Sequence, residues 1–162
     1  LRSVPPVATV TQQAAPPVPE DGAPYVDRQD LAECAGLIVG SPTRFGNMAA
    51  PVKHFIDGLG AEWVSGALAG KPAAVFTSTA TQHGGQESTL LSMHVPLLHH
   101  GCLIVGIPFT EPLLSTTRSG GTPYGASHVA GAQDDPQPTE EESVLARALG
   151  RRLADIAARL AR

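Results

Sequence analysis

AGLIVGSPTRFGNMAAPVKHFIDGLG, residues 35–60, is the stretch that decides the fold. It opens on AGLIVG at 35–40, an unbroken apolar run stopped by Ser41 and Pro42, which is the pattern of a strand buried on both faces of a parallel sheet. Asn47 then stands as a candidate cap for a helix whose Met48, Val52, Phe55, Ile56 and Leu59 share one face. Pro51 lies in the tolerant first turn, and Gly58 and Gly60 close the helix. After a glycine-punctuated loop, EWVSGALAGK, a second apolar strand follows as PAAVFTS at 72–78. Strand, helix, strand is the βαβ unit, and it places the chain in the α/β class.

Working downstream, the polar glycine loop TATQHGG at 79–85 leads to a helix expected from Gln86 to His100, carrying Leu90, Leu91, Leu97 and Leu98, kinked by Pro96 and ended by Gly101. CLIVGI at 102–107 reads as strand three. A connection of roughly 30 residues comes next, far longer than ordinary loops, so it is read as a functional or interface segment. The last helix has the clearest signature. Thr139 with Glu142 forms a capping box, Leu145, Leu149, Leu153, Ile156 and Leu160 repeat at helical spacing, and acidic residues lead while arginines trail, as the helix dipole favours. Working upstream, residues 1–30 are proline-rich and read as an extended connection after a strand end at Leu1 to Val4, with a short helical turn near Asp30 to Ala35.

The 162 residues fit one domain. A net charge of −4 offers no footprint for phosphate backbones, so nucleic-acid binding is not expected. The apolar run from Leu103 to Phe109 is too short to cross a bilayer, and the sequence reads as cytoplasmic. Charged residues make up only 16%, a weak argument that the chain hides surface against copies of itself. Cys34 and Cys102 form no CxxC pair and read as two buried thiols.

Open α/β sheets bind ligands at the carboxyl ends of their strands, which directs attention to the loops at 41–47, 77–85 and 108–131. SPTRFGN offers hydroxyls at Ser41 and Thr43, a guanidinium at Arg44 and an aromatic face at Phe45, a set that suits a planar polar heterocycle. A plain strand-to-helix turn fits it equally well. TSTATQHGGQE supplies neutral hydroxyls and glycine amides, and it reads either as a ligand loop or as a flexible surface loop. Adjacent His99 and His100 diverge around a helix, and no acidic partner stands at ligand spacing, so no metal site is expected. Trp63 reads first as a packing residue. There is no GxSxG elbow and no GxGxxG fingerprint. GALAGKP has only three residues between Gly66 and Gly70, and Pro72 stands where a Walker loop needs Ser or Thr.

Together, GSPTRFGNMAAPVKHFIDGLG at 40–60, WVSGALAGKPAAVFTSTATQHGGQESTLLSM at 63–93, PLLHHG at 96–101 and GGTPYGASHVAG at 120–131 resemble the WrbA-type NAD(P)H:quinone oxidoreductases. The resemblance implies a flavodoxin-like parallel sheet with helices on both faces, bound FMN, two-electron transfer from NADH or NADPH to a quinone, and a homotetramer. Carried over by position, it implies that Pro42, Thr43, Arg44 and Phe45 lie against the flavin. The second flavin loop would be Ser78, Thr79, Ala80, Thr81, Gln82, His83 and Gly84. His99 would stand beside the cofactor as the catalytic proton donor, and Trp63 would wall the substrate slot of a neighbouring subunit. WrbA-type proteins begin with a strand, a serine-rich phosphate loop and a helix that this sequence lacks, so it reads as a fragment of a longer protein in preference to a truncated relative that repairs its sheet by other means. A flavodoxin-like scaffold without a working flavin site is the alternative reading.

Overall fold

The structure, a computed structural model, describes residues 25–161. The expected strand end at Leu1 to Val4 and most of the proline-rich connection lie outside those residues. Asp27 caps the first helix, α1 (Arg28–Glu33), through a capping box with Asp30, so this helix starts two residues before the expected turn. The strands are β1 (Leu37–Arg44), β2 (Asn47–Met48), β3 (Pro72–Thr79), β4 (Leu103–Ile104) and β5 (Ala126–Val129). The remaining helices are α2 (Ala50–Asp57), α3 (Gly60–Ser65), α4 (Gln86–His99) and α5 (Glu140–Leu160), with a 3-10 turn at Pro112–Ser115.

β3 organises the sheet. β1 runs parallel to it along one edge, from Leu37 opposite Ala73 to Pro42 opposite Ser78. The other edge is shared: β4 pairs with Pro72 and Ala73, whereas β5 pairs with Phe76 to Thr79, both in parallel. β4 and β5 are therefore two pieces of one edge strand, separated by an excursion at 105–125. Side chains alternate along β3, so Ala73 and Val75 enter a core with Leu90, Met93 and Leu97 of α4 and with Ile56 of α2. Ala74 faces the opposite core with Leu145, Leu149 and Leu153 of α5. Helices thus cover both faces, as the α/β reading requires. Among the described residues, the outer edge of β1 from Leu37 to Pro42 has no partner, and Ile38 and Phe76 remain exposed.

Several expectations change here. β1 does not stop at Ser41; it continues to Arg44 and turns back into β2, with Arg44 opposite Asn47. The two residues between them, Phe45 and Gly46, have φ of 52° and 75°, the double left-handed geometry of a tight hairpin turn. Asn47 is therefore not the helix cap: its Oδ1 accepts from the Met48 amide, and α2 begins after Ala49, whose amide donates to Ser41 Oγ. The loop after Leu59 contains helix α3, closed by left-handed Gly66. The expected strand at 102–107 is reduced to Leu103–Ile104, and the long connection holds β5. The thiols are both free, but only Cys102 is buried.

The excursion and the start of α5 are joined by one buried carboxylate. Glu142, only 2% exposed, accepts at Oε1 from the Ser119 hydroxyl and from the Gly120 and Val129 amides. At Oε2 it accepts from the Thr139 amide and meets His128 Nδ1 at 2.8 Å. Burial alone raises a carboxyl pKa, but these donors overcome it and hold Glu142 at about 2. This folded value lies below the 4.5 of an unconstrained carboxylate, so the stabilisation is complete above that pH and is lost as pH falls toward about 2. The whole effect is on the order of 3 kcal/mol. Urea unfolding at about pH 6 and about pH 3 is expected to show roughly 2 kcal/mol of acid loss in the native protein that Glu142→Gln lacks. Equal acid losses in the two proteins would contradict this role.

Candidate functional site

Two turns meet at the carboxyl edge of the sheet. The Phe45–Gly46 hairpin ends β1, and the 80–85 loop leaves β3 next to it. They touch through glycine: a Cβ on Gly85 would sit 2.8 Å from the Gly46 Cα and 3.1 Å from Ser88 Oγ, and Gly85 itself has φ of 109°. No other residue type permits both that conformation and that approach.

The polar scaffold beneath the turns is made of hydroxyls. Thr77 donates from Oγ1 to the Ser41 carbonyl at 2.8 Å and lies 3.3 Å from Thr43 Oγ1, which also accepts from Thr89 Oγ1 at 3.1 Å. Thr43 is thereby fixed from β3 and from α4. Thr79 Oγ1 donates to the Thr81 carbonyl, and the Gly84 amide closes back on the same oxygen at 3.1 Å. Gln82 Nε2 donates to the Ser119 carbonyl at 3.1 Å, and Gln86 Nε2 donates to the Gln82 carbonyl at 2.8 Å. The loop is held at both ends while Ala80 to Gly84 stay exposed. The amides of Thr81, Gln82 and His83 donate to no acceptor among the described residues.

What this edge presents outward is unusual for a surface. Phe45 is 106% exposed, a bare aromatic ring on a left-handed backbone. Arg44 spends one nitrogen on the Thr43 carbonyl at 2.8 Å and leaves its other donors to solvent. Neither turn carries a carboxylate. Left-handed geometry costs a non-glycine residue on the order of 1 kcal/mol or more, and an unburied ring returns none of it in the chain itself. A flat heteroaromatic molecule with carbonyl and imide groups matches this set of one ring face, one guanidinium and several free amides. Ser78 also lines a pocket of about 280 Å³ that continues toward His128, Pro136 and Pro138.

The structure thus brings Pro42, Thr43, Arg44 and Phe45 together with Ser78, Thr79, Ala80, Thr81, Gln82, His83 and Gly84. It does not bring His99 or Trp63 to them. α4 starts at the carboxyl edge and runs back along the sheet, so its 14 residues carry His99 about 20 Å away, to the end where β3 begins. Trp63 is at that same far end, where its indole Nε1 donates to the His99 carbonyl at 2.9 Å. Among the supporting residues, Thr89 lies outside every loop the sequence singled out, whereas Thr77 and Gln86 stand within TSTATQHGGQE and Ser127, whose hydroxyl donates to Gln86 Oε1, within 108–131. The signal for Thr77 was three hydroxyl residues, Thr77 to Thr79, closing an otherwise apolar strand.

The family model described as NADPH-dependent FMN reductase matches residues 9–109. A protein named NAD(P)H dehydrogenase (quinone) from Trichlorobacter lovleyi is 52% identical over 139 residues, covering 85% of this chain and 68% of its own length. A protein of the same name from Chromohalobacter salexigens is 50% identical over 137 residues, covering 83% and 68%. Among solved structures, the flavodoxin, WrbA-like protein from Agrobacterium tumefaciens aligns with a TM-score of 0.63 at 22% identity, covering 81% of this chain and 71% of its own, a likeness of fold. The parallel sheet and these matches lead to one assignment: the chain belongs to the NADPH-dependent FMN reductase family, and its relatives there include proteins named NAD(P)H dehydrogenase (quinone).

Proposed function

We propose that this chain forms the ring-binding part of an FMN-dependent NAD(P)H:quinone oxidoreductase that reduces quinones in two-electron steps. Exposed Phe45 on its left-handed turn, set beside a loop with free amides, is the observation that carries the reading. FMN, held by Phe45, Arg44 and the 81–83 amides, would supply two-electron hydride chemistry between NADH or NADPH and a quinone. The chain's residues bind and orient. Phe45 and Pro42 offer an apolar face, Arg44 offers a charged donor, and the Thr81, Gln82 and His83 amides offer neutral donors for ring carbonyls. Thr77 and Thr89 keep Thr43, and with it the turn, from shifting. The alternative of a scaffold without a flavin site is not favoured by a family of this description.

His99 and Trp63 enter this reading only through a second copy. α4 presents Leu91, Val95 and Leu98 outward at helical spacing, each more than 40% exposed, and the apolar strip continues into Trp63 and Val64 at the His99 end. Such a strip suits a homo-oligomeric interface, here a homotetramer, in which one copy's Trp63 and His99 complete the slot over another copy's Phe45. Trp63 would wall the slot, and the His99 imidazole would hand a proton to the quinone oxygen. The reading places the enzyme in the cytoplasm, with its nicotinamide donors, and no described helix is long and apolar enough to cross a membrane.

Isothermal titration of the intact polypeptide with FMN should show one site per chain. Phe45→Ala should weaken it by about fivefold or more, the loss of about 1 kcal/mol of ring contact, without changing the urea midpoint because the ring is not buried. No heat of binding, or a Phe45→Ala protein that binds as tightly as the native one, would remove the flavin reading. In sedimentation, Val95→Asp should convert the oligomer to smaller species and cut NADH-dependent benzoquinone reduction at least tenfold while FMN remains bound. A native monomer with full turnover would eliminate the shared-slot arrangement.

A further inference from the structure

Next to the candidate ring site lies a charged pair that the proposed reaction leaves unused. His128, near the end of β5, pairs in register with Ser78 of the cofactor edge. Its Nδ1 is 2.8 Å from Glu142 Oε2, and its Nε2 is 2.7 Å from the Asp135 carbonyl. Both partners are acceptors only: a backbone carbonyl cannot donate, and the buried Glu142 is ionised at every ordinary pH. A neutral imidazole has one N–H and satisfies one of these contacts, leaving a lone pair against oxygen at the other. The imidazolium has two N–H groups and satisfies both.

The turn pinned by this ring is under strain and touches the site. Asp135 is held at three points: its amide donates to the Ala130 carbonyl at 2.9 Å, its carbonyl accepts from His128, and its Oδ1 accepts from the Gln137 amide at 2.9 Å. Asp134 beside it has φ of 53°, a left-handed conformation that the surrounding contacts must maintain. Ala130, where the turn begins, donates to the Thr79 carbonyl at 2.8 Å, at the root of the 80–85 loop. On the other side of Glu142, Ser119 accepts at its carbonyl from Gln82 in that same loop. The loop is therefore braced from two directions by groups that meet on one carboxylate.

We propose that Glu142 and His128 are positioning residues of the cofactor edge. His128, held as the imidazolium between Glu142 and the Asp135 carbonyl, fixes the Ala130–Asp135 turn and, through Thr79, Ser119 and Gln82, the setting of the 80–85 loop. When the ring gives up its second proton, the Asp135 tie becomes repulsive and the loop loosens, so the device works below the His128 ionisation and fails above it. The inference rests on the proposed flavin site for its effect on binding, but the brace itself is a property of the chain.

The sign follows from the surroundings of the ring. Burial on its own lowers the His128 pKa. The hydrogen bond to Glu142, the bond to the Asp135 carbonyl and the charges of both carboxylates, one on α5 and one in the turn, overcome burial and raise it. The stabilising effect is complete below the ordinary histidine value and is lost as pH rises through the elevated one. Glu142 does not share in that loss, because its own transition lies far on the acid side.

Amide exchange and ring titration by nuclear magnetic resonance test the brace, with FMN affinity measured in parallel on the intact polypeptide between about pH 6 and pH 9. In the native protein, His128 should titrate above the ordinary histidine value, and the protection factors of the Gly84, Ala130 and Asp135 amides should fall roughly tenfold across its transition. His128→Gln, neutral at every pH, should show the lower protection throughout and no transition. Glu142→Gln should also expose the Gly120 and Val129 amides. FMN affinity should follow the same pH curve in the native protein and become flat in His128→Gln. A His128 that titrates at or below the ordinary value, or amides whose protection is the same at both pH values, would overturn the proposal. If no FMN binds at any pH while exchange follows the predicted curve, the brace stands and the flavin reading fails.

Discussion

The approach of Gly46 to Gly85 is the constraint on which the rest of the site depends. A backbone contact this close, with Gly85 in a left-handed conformation, leaves no room for a side chain between the end of β1 and the loop after β3. It converts two separate turns into one continuous surface. Because Gly46 is the second residue of a tight hairpin, the contact also sets the direction of Phe45, the residue before it, whose ring faces solvent. Everything beneath the contact keeps it in place: Thr43, Thr77 and Thr89 join hydroxyls across β1, β3 and α4, and Ser41 Oγ receives the first amide ahead of α2.

The support extends outward from β3. That strand has apolar contacts on both faces, β1 along one edge, and β4 and β5 in succession along the other. Splitting the last edge strand lets the 105–125 excursion leave the sheet and return beside the site. The cost is a long connection that has to be secured somewhere, and Glu142 secures it with five donors from three segments. A carboxylate with that many donors is worth burying, whereas an unpaired one is not. The same residue completes the capping box of α5, so helix initiation and loop anchoring share one side chain.

What could be read from the sequence was what local rules govern. The α5 capping box and its leucine spacing needed only neighbouring residues, as did the apolar runs of β1 and β3; α5 and β3 are found where expected, whereas β1 runs on past Ser41 to Arg44. Asn47 was misassigned because an asparagine before an apolar helix suits a cap, while the competing hairpin depends on Phe45 taking a left-handed conformation that sequence does not announce. β5 escaped because four residues, ASHV, in a glycine-rich stretch gain strand character only by pairing with Phe76 to Thr79 far away. That the loops at 41–47 and 77–85 gather at the carboxyl edge was legible from their position after strands. The separation of His99 and Trp63 from that edge follows from the direction of α4, which runs back to the start of the strands, and residue types alone do not reveal it. Glu142 was visible as a cap, but its role as an anchor for Ser119 and His128 is tertiary.

A crystal structure of the intact polypeptide grown with FMN tests the central claim most directly. The account predicts ring density against Phe45, in contact with the amides of Thr81 to Gly84, and with Gly46 and Gly85 still touching. Density for the ring elsewhere, or a cradle that has to open between those two glycines to admit it, would contradict the account.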